Sequence, residues 1–377
     1  MKKSLTLCVA ALLSALASAV CYAADRPELL APINGEERSL TPDEVAKYKS
    51  PEARDWDLSY RPVELKGDKK DCSQPKPVTF KWNGVDADAA YKLEVSASPE
   101  FDAIVCCKDC GDQKEVEIYN LNIGTTYYWR VTATSGDAQT VSDVASFKTA
   151  FDLPRWFNVP SITNVRDAGG WKAANGKRMK QGLVFRGSEM EPHNDGGRVF
   201  ELTAEGKDIM LNLMGIQTDL ELRGPGEWDN DENYYSPLGR ENVKWINFPI
   251  NYYGAIFNDR NKELFRNMFH VFAQRESYPI YIHCVAGADR TGTTLIALKS
   301  VLGVSDSDMF FDYEMTSFSA IGSRRIGQDG FQGLLKKLDE FEGETYGQKF
   351  VAYLKSAGVT DEEMDAIREI LLEDAQD

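Results

Sequence analysis

Residues 283–292 read His283-Cys284-Val285-Ala286-Gly287-Ala288-Asp289-Arg290-Thr291-Gly292. The apolar run Ile280-Tyr281-Ile282 precedes them with strand character, and Thr293 to Leu302 follows with the apolar spacing of a helix. A cysteine and an arginine six residues apart, between a strand and a helix, fit a loop whose backbone N–H groups turn inward. Such a loop, the helix N-terminus and a guanidinium together make a nest for a tetrahedral anion. Val285, Ala286, Gly287, Ala288, Asp289 and Arg290 are its phosphate-binding candidates. The same field favours a thiolate at Cys284 over a thiol, giving a nucleophile at neutral pH. Gly287 allows a backbone angle that other residues resist. Arg290 can bond two phosphate oxygens at once. Thr291 can donate its hydroxyl to the sulfur, and His283 orients the cysteine backbone rather than acting as a base. The competing reading is a buried structural cysteine beside a surface arginine.

The pattern of strands separated by helices extends on both sides of this loop. Leu183-Val184-Phe185 and Trp245-Ile246-Asn247-Phe248 read as strands, and 202–214 as a helix. Near the end, Thr360 is followed three residues later by Glu363 before Met364, Ile367, Ile370 and Leu371, which is a capping box opening an amphipathic helix. Strand–helix alternation predicts an α/β layer fold for 150–377.

Residues 24–149 differ. After a polar lead-in to about residue 72, with a short helix start at Thr41-Pro42-Asp43-Glu44, apolar and polar residues alternate. Val78, Phe80 and Trp82 share one face, as do Tyr91, Leu93 and Val95, and Tyr127, Trp129 and Val131. Turn residues punctuate the runs at Asn83-Gly84, Ser98-Pro99, Ile123-Gly124 and Ser135-Gly136. An all-β sandwich is expected, with the lead-in packed on it. No cluster in it has a catalytic look, which suits a spacer or adhesion module with a protein or glycan partner.

Residues 1–23 read as a signal peptide: Lys2 and Lys3, an apolar run from Leu5 to Val20, and a small-residue end at Ala23. That run is short for a membrane span. A lipoprotein reading at Cys21 is the alternative, for which Val20 is a poor neighbour. Export to the periplasm or outside would then permit disulfides. Cys72, Cys106, Cys107 and Cys110 are expected to form two, in a pairing left open, with Cys284 a lone thiol. Zinc is the competing use of that cluster, and no His stands near it to support one. A formal net charge of −16 argues against a nucleic-acid surface, so an anion site here must be strongly local.

The 283–292 segment resembles the signature loop of cysteine-dependent protein-tyrosine and dual-specificity phosphatases. Further pieces are similar to the bacterial secreted subgroup that includes the mycobacterial and listerial tyrosine and lipid phosphatases. These are Asn164-Val165-Arg166-Asp167-Ala168-Gly169-Gly170, Phe185-Arg186-Gly187-Ser188, the stretch Thr218 to Glu227, and Asp312-Tyr313 with Ser317. The resemblance spans about 155–320. It implies a phosphocysteine at Cys284, later hydrolysed, with no metal and no cofactor, on phosphorylated protein or small phosphomonoester substrates. Leu121 to Val131 resembles the later strands of fibronectin type III domains.

Two departures from the subgroup matter. Ala288 stands where several relatives carry a lysine suited to inositol phosphates. The segment Asn247 to Tyr253 lacks the general-acid aspartate that many dual-specificity enzymes place there. Candidates for the acid are Asp289, then Glu221, then Asp259. Arg166 and Asp167 are expected to brace the loop or to form a purely structural salt bridge, and Tyr252 and Tyr253 either pack, as strand tyrosines do by default, or flank an aromatic substrate. A tyrosine or dual-specificity phosphatase is thus the leading expectation. A phosphoinositide or inositol-phosphate phosphatase on the same scaffold, and a binding protein with an idle phosphatase domain, are the alternatives.

Overall fold

A computed structural model describes residues 26–48, 71–191, 200–228 and 234–375. The expected signal peptide lies outside them. Among the described residues no helix is long and apolar enough to cross a membrane.

The first part is built from two sheets. Strands β1 (Glu28–Ala31), β2 (Glu36–Arg38), β3 (Val78–Asn83), β4 (Ala90–Ser96), β5 (Ile104–Gly111), β6 (Glu115–Ile118), β7 (Thr126–Ser135), β8 (Ala138–Val141) and β9 (Ala145–Thr149) sort into one sheet of order β1-β3-β6 and another of order β2-β9-β7-β4-β5, with β8 on β7. Alternation decides what meets between them: Val78, Phe80, Trp82, Leu93, Val95, Tyr127, Trp129, Val131 and Phe147 form one buried cluster. The lead-in is not merely laid over this body. It contributes β1 and β2 to the sheets, and its helix α1 (Asp43–Tyr48) buries Val45 and Tyr48 against Trp156, Met315 and Phe318 of the second part.

The expected disulfides are absent: no bridge links Cys72, Cys106, Cys107 and Cys110 to one another. Geometry explains why. Cys106, Cys107 and Cys110 all lie on β5, where neighbours point to opposite faces. Cys106 and Cys110 are four residues apart along a strand, roughly 13 Å at ~3.3 Å per residue, beyond the ~7 Å Cα limit for a bridge. Cys72 packs instead with the α1 cluster.

In the second part a sheet of order β10-β12-β15-β13-β14 comprises β10 (Arg166–Asp167), β12 (Val184–Gly187), β13 (Thr218–Glu221), β14 (Lys244–Asn247) and β15 (Ile280–His283). All neighbours are parallel except β10, and an antiparallel pair, β11 (Lys177–Met179) with β16 (Leu372–Asp374), lies apart. The four residues of β15 are wholly buried, as a central parallel strand demands. Helices α2 (Ala204–Asp208), α3 (Asp259–Phe272), α4 (Asp289–Leu302), α5 (Asp306–Glu314), α6 (Asp329–Leu338), α7 (Tyr346–Ser356) and α8 (Asp361–Leu371) cover it. The helix expected over 202–214 continues past α2 as a π-helical turn, Ile209–Leu213. At α8 the capping box forms, with Thr360 N–H on Glu363 at 3.0 Å and Glu363 N–H on the Thr360 hydroxyl at 3.2 Å. Helix α4 is buried from Thr291 to Leu302 and stops at Gly303, whose φ of 73° lies in the left-handed region that favours glycine. Strand β15 therefore delivers Cys284 to the carboxyl edge of the parallel strands, where ligands bind in open α/β sheets.

Candidate active site

The loop from Cys284 to the start of α4 is held by its carbonyls. Val285 O accepts the Glu189 N–H (3.1 Å). Ala286 O and Gly287 O both accept the Asn164 side-chain amide (3.2 and 3.1 Å), and Gly287 O also accepts Arg186 Nη2 at 2.6 Å. With three successive carbonyls tethered outward, the peptide N–H groups are left to face the interior of the turn. Gly287 makes this possible. Its φ is +60°, and a Cβ there would lie 2.0 Å from Gly187 O. The backbone of the neighbouring strand end occupies the space a side chain would need.

Within the turn, the Cys284 thiol is 2% exposed and receives the Thr291 hydroxyl at 3.4 Å. Behind it lies a buried cluster of charge. Asp312 is met by Arg166 (2.9 Å), Arg186 (3.4 Å) and Lys299 (2.8 Å). Burial alone would raise the Asp312 carboxyl, but the three cations hold it well below the usual carboxylate range. Burial also pulls Lys299 down, to about 8, against the pull of Asp312. Three cations on one carboxylate leave an excess of positive charge beneath the loop, and Arg186 carries it directly to Gly287 O. This is the local cationic site that an acidic chain needs to attract an anion.

Arg290 is oriented by a partner that motif reading passed over. Its Nη1 and Nη2 make a bidentate pair with Glu227, at 2.6 and 2.7 Å. Burial raises the Glu227 carboxyl, but Arg290 and the Gly224 N–H outweigh it and leave it lowered. An open depression of about 620 Å³, lined by Arg290, Glu227, Arg260, Tyr252 and Pro249, adjoins this pair. Tyr252 stands 51% exposed at its wall.

The remaining candidates fall in different places. Asp289 lies in the first turn of α4, and both its oxygens are taken by Arg324, at 2.7 and 3.0 Å. The Tyr253 hydroxyl also donates to Asp289 and is bonded to the Tyr313 hydroxyl. Glu221 lies 3.6 Å from His283, beside the signature strand end. It is wholly buried with both oxygens on Arg223, which in turn meets Glu189 and Glu191. Asp259 is exposed in the first turn of α3, where a carboxylate complements the helix end.

Arg166 braces the loop through Asn164 and Asp312, but Asp167 does not. Consecutive strand residues face opposite ways, so Asp167 points to the Gly169 and Gly182 N–H groups and, at 3.9 Å, to Arg155. His283 is buried between Asp219 (2.9 Å) and Glu221 (3.6 Å). Burial lowers its affinity for a proton, but the two carboxylates prevail and push it up to about 9. Its Nε2 faces the two carboxylates behind the strand end, and its buried Nδ1 makes no hydrogen bond to the Cys284 backbone that it was expected to orient.

Three comparisons bear on this arrangement. A model of the tyrosine phosphatase family matches residues 157–373. A provisionally named tyrosine-protein phosphatase of Cupriavidus necator is 24% identical over 181 residues, covering 41% of this chain and 60% of the relative's length. The core catalytic domain of the PP-IP phosphatase SIW14 of S. cerevisiae, solved with citrate, aligns over 49% of this chain and 85% of that one at 14% identity, with a TM-score of 0.26.

Gly287→Ala is expected to cost at least about a hundredfold in turnover, because the loop must move off Gly187 O and a misplaced anion site loses that much; steady-state kinetics on an aryl phosphate checks it. His283 predicts a pH effect on stability. Its proton is bound more tightly folded (about 9) than unfolded (6.5). The contribution is full below pH 6.5 and is lost as pH rises through about 9. The melting temperature should fall more steeply over that interval in the wild type than in His283→Asn.

Proposed function

The chain belongs to the tyrosine phosphatase family, and from that membership we propose that it hydrolyses phosphate monoesters through a phosphocysteine, with phosphotyrosine as the leading substrate. The observation that carries the proposal is the tethering of three successive signature-loop carbonyls away from Cys284. In this reading the Cys284 sulfur attacks phosphorus, the P–O bond to the leaving group breaks, and the alcohol or phenol departs with a proton. Water then attacks the phosphocysteine, releasing inorganic phosphate and the thiolate. The loop amides from Val285 to Arg290 and the Arg290 guanidinium carry the charge on the transferring group. Thr291 stabilises the sulfur as it leaves in the second step. Arg186 and Arg166 hold the loop from behind.

Asp289 is the carboxyl on the loop itself, and it is proposed as the proton donor, acting once its pairing with Arg324 opens. Glu221 is not proposed for that role, since it is wholly buried against Arg223, whereas Asp289 is partly exposed.

Support for a single-phosphate substrate comes from the rim. Arg290 is paired with Glu227 and Arg324 with Asp289. Ala288, where relatives have lysine, is wholly enclosed. A second phosphate would therefore find Arg324 already paired, leaving Arg260 as the flanking cation of the depression. The first part fits a fibronectin type III-like module: the Tyr127 hydroxyl accepts the Asn122 N–H at 2.8 Å, five residues upstream, in the manner of a tyrosine corner. Residues 1–23 support export.

Purified protein should hydrolyse aryl phosphates and phosphotyrosine peptides in the presence of chelator, with kcat/KM higher on the peptides than on inositol phosphates. Cys284→Ser should remove the activity while retaining substrate binding. Full turnover in that variant would refute the assignment.

A further inference from the structure

The family match begins at residue 157, yet two groups far upstream of it reach the machinery of the loop. The first is Ser73. Its hydroxyl oxygen accepts the Asn164 N–H at 2.9 Å. Asn164 is the residue whose side-chain amide holds Ala286 O and Gly287 O, and it adopts a φ of +64°, a conformation that needs support in a residue with a Cβ. Ser73 is itself fixed: its hydroxyl donates to Asp71 at 2.5 Å, and Asp71 accepts the Thr163 hydroxyl as well. Between them, the Cys72 N–H donates to Phe318 O at 2.9 Å.

The second is Tyr48, at the end of α1. Its hydroxyl donates to one Glu314 oxygen. The other Glu314 oxygen accepts the Ile326 N–H at 3.0 Å and lies 3.2 Å from Arg325 Nε. Arg325 also stacks over the Tyr48 ring, 5.0 Å from its centroid. Glu314 thereby anchors the segment carrying Arg324, whose guanidinium clamps Asp289 on the signature loop. The apolar side of α1 seals this contact through Val45 and Tyr48 on Met315 and Phe318.

From these two relays we propose that the chain preceding the family domain completes the catalytic apparatus, with Ser73 and Tyr48 as positioning residues. Ser73 acts through Asn164 on the orientation of the loop amides, and Tyr48 acts through Glu314 and Arg324 on Asp289. Neither touches substrate. Each route begins at a buried hydrogen bond, Asn164 N–H to Ser73 and Tyr48 to Glu314, where loss of one partner leaves the other unsatisfied. The segment is therefore more than a tether to the sandwich. The inference rests on the phosphatase reading, because the loop it positions is the proposed catalytic one.

The test uses the full chain with Ser73→Ala, Ser73→Thr and Tyr48→Phe, reading kcat and KM on p-nitrophenyl phosphate, the affinity for tungstate by calorimetry, and the melting temperature. Ser73→Ala should lower kcat/KM and weaken tungstate binding by about tenfold each, one decade being ~1.4 kcal/mol. Ser73→Thr, which keeps the hydroxyl, should restore both. Tyr48→Phe should alter kcat severalfold at nearly unchanged KM and tungstate affinity, since its route ends on Arg324, whose hold on Asp289 governs release of that carboxyl, and not on the amides. Tyr48→Phe removes a single oxygen and carries the test should Ser73→Ala fail to fold. Wild-type values in both Ser73→Ala and Tyr48→Phe would overturn the proposal, as would a loss in Ser73→Thr equal to that in Ser73→Ala. A wild type without turnover would remove the phosphatase reading instead, and the Ser73 relay would then stand or fall on tungstate affinity alone.

Discussion

Everything at this site depends on where three peptide carbonyls point. A loop that leaves its carbonyls inward repels an anion, and the same loop with carbonyls outward binds one. Here Val285 O, Ala286 O and Gly287 O are each held from outside, by the Glu189 backbone, the Asn164 amide and the Arg186 guanidinium. Each of these tethers is itself held. Asn164 is fixed by Arg166 and Ser73, and Arg186 by Asp312. The carboxylate of Asp312 collects three buried cations and so places positive charge beneath the sulfur without exposing any of it to an acidic surface. A buried ion cluster is costly by itself. Its retention here makes sense as orientation and local potential rather than as stability.

Much of this was legible in the sequence because it is local. The string from His283 to Gly292 contains its own strand exit, its glycine, its arginine and its helix entry. The period-two alternation of Val78, Phe80 and Trp82 marked the buried face of β3, and Thr360 with Glu363 announced the last helix. Where the pattern alone was followed too far, geometry corrected it. Four clustered cysteines suggested bridges, but three share one strand. Arg166 and Asp167 are adjacent in sequence and serve opposite faces of β10. Glu221 occupies an acidic position in a familiar stretch, yet its oxygens are committed to Arg223.

What could not be read from the string is long-range pairing. Glu227 with Arg290, Arg324 with Asp289, and Asp312 with Arg166, Arg186 and Lys299 join residues from 13 to 146 positions apart, and no local spacing marks them. The only hint was chemical: an acidic chain that binds phosphate must gather cations somewhere, and a buried arginine must find an acceptor. The contacts from Ser73 and Tyr48 lie further still from any motif. They cross the change near residue 150 from alternating strands to strand–helix alternation.

The most direct measurement is a crystal structure of the protein with tungstate. The account predicts the oxyanion seated against Cys284, its oxygens roughly 2.7–3.2 Å from loop N–H groups between Val285 and Arg290 and from the Arg290 guanidinium, with Ala286 O and Gly287 O still on Asn164. Tungstate bound elsewhere with the cup empty, or those carbonyls turned toward the sulfur, would contradict it.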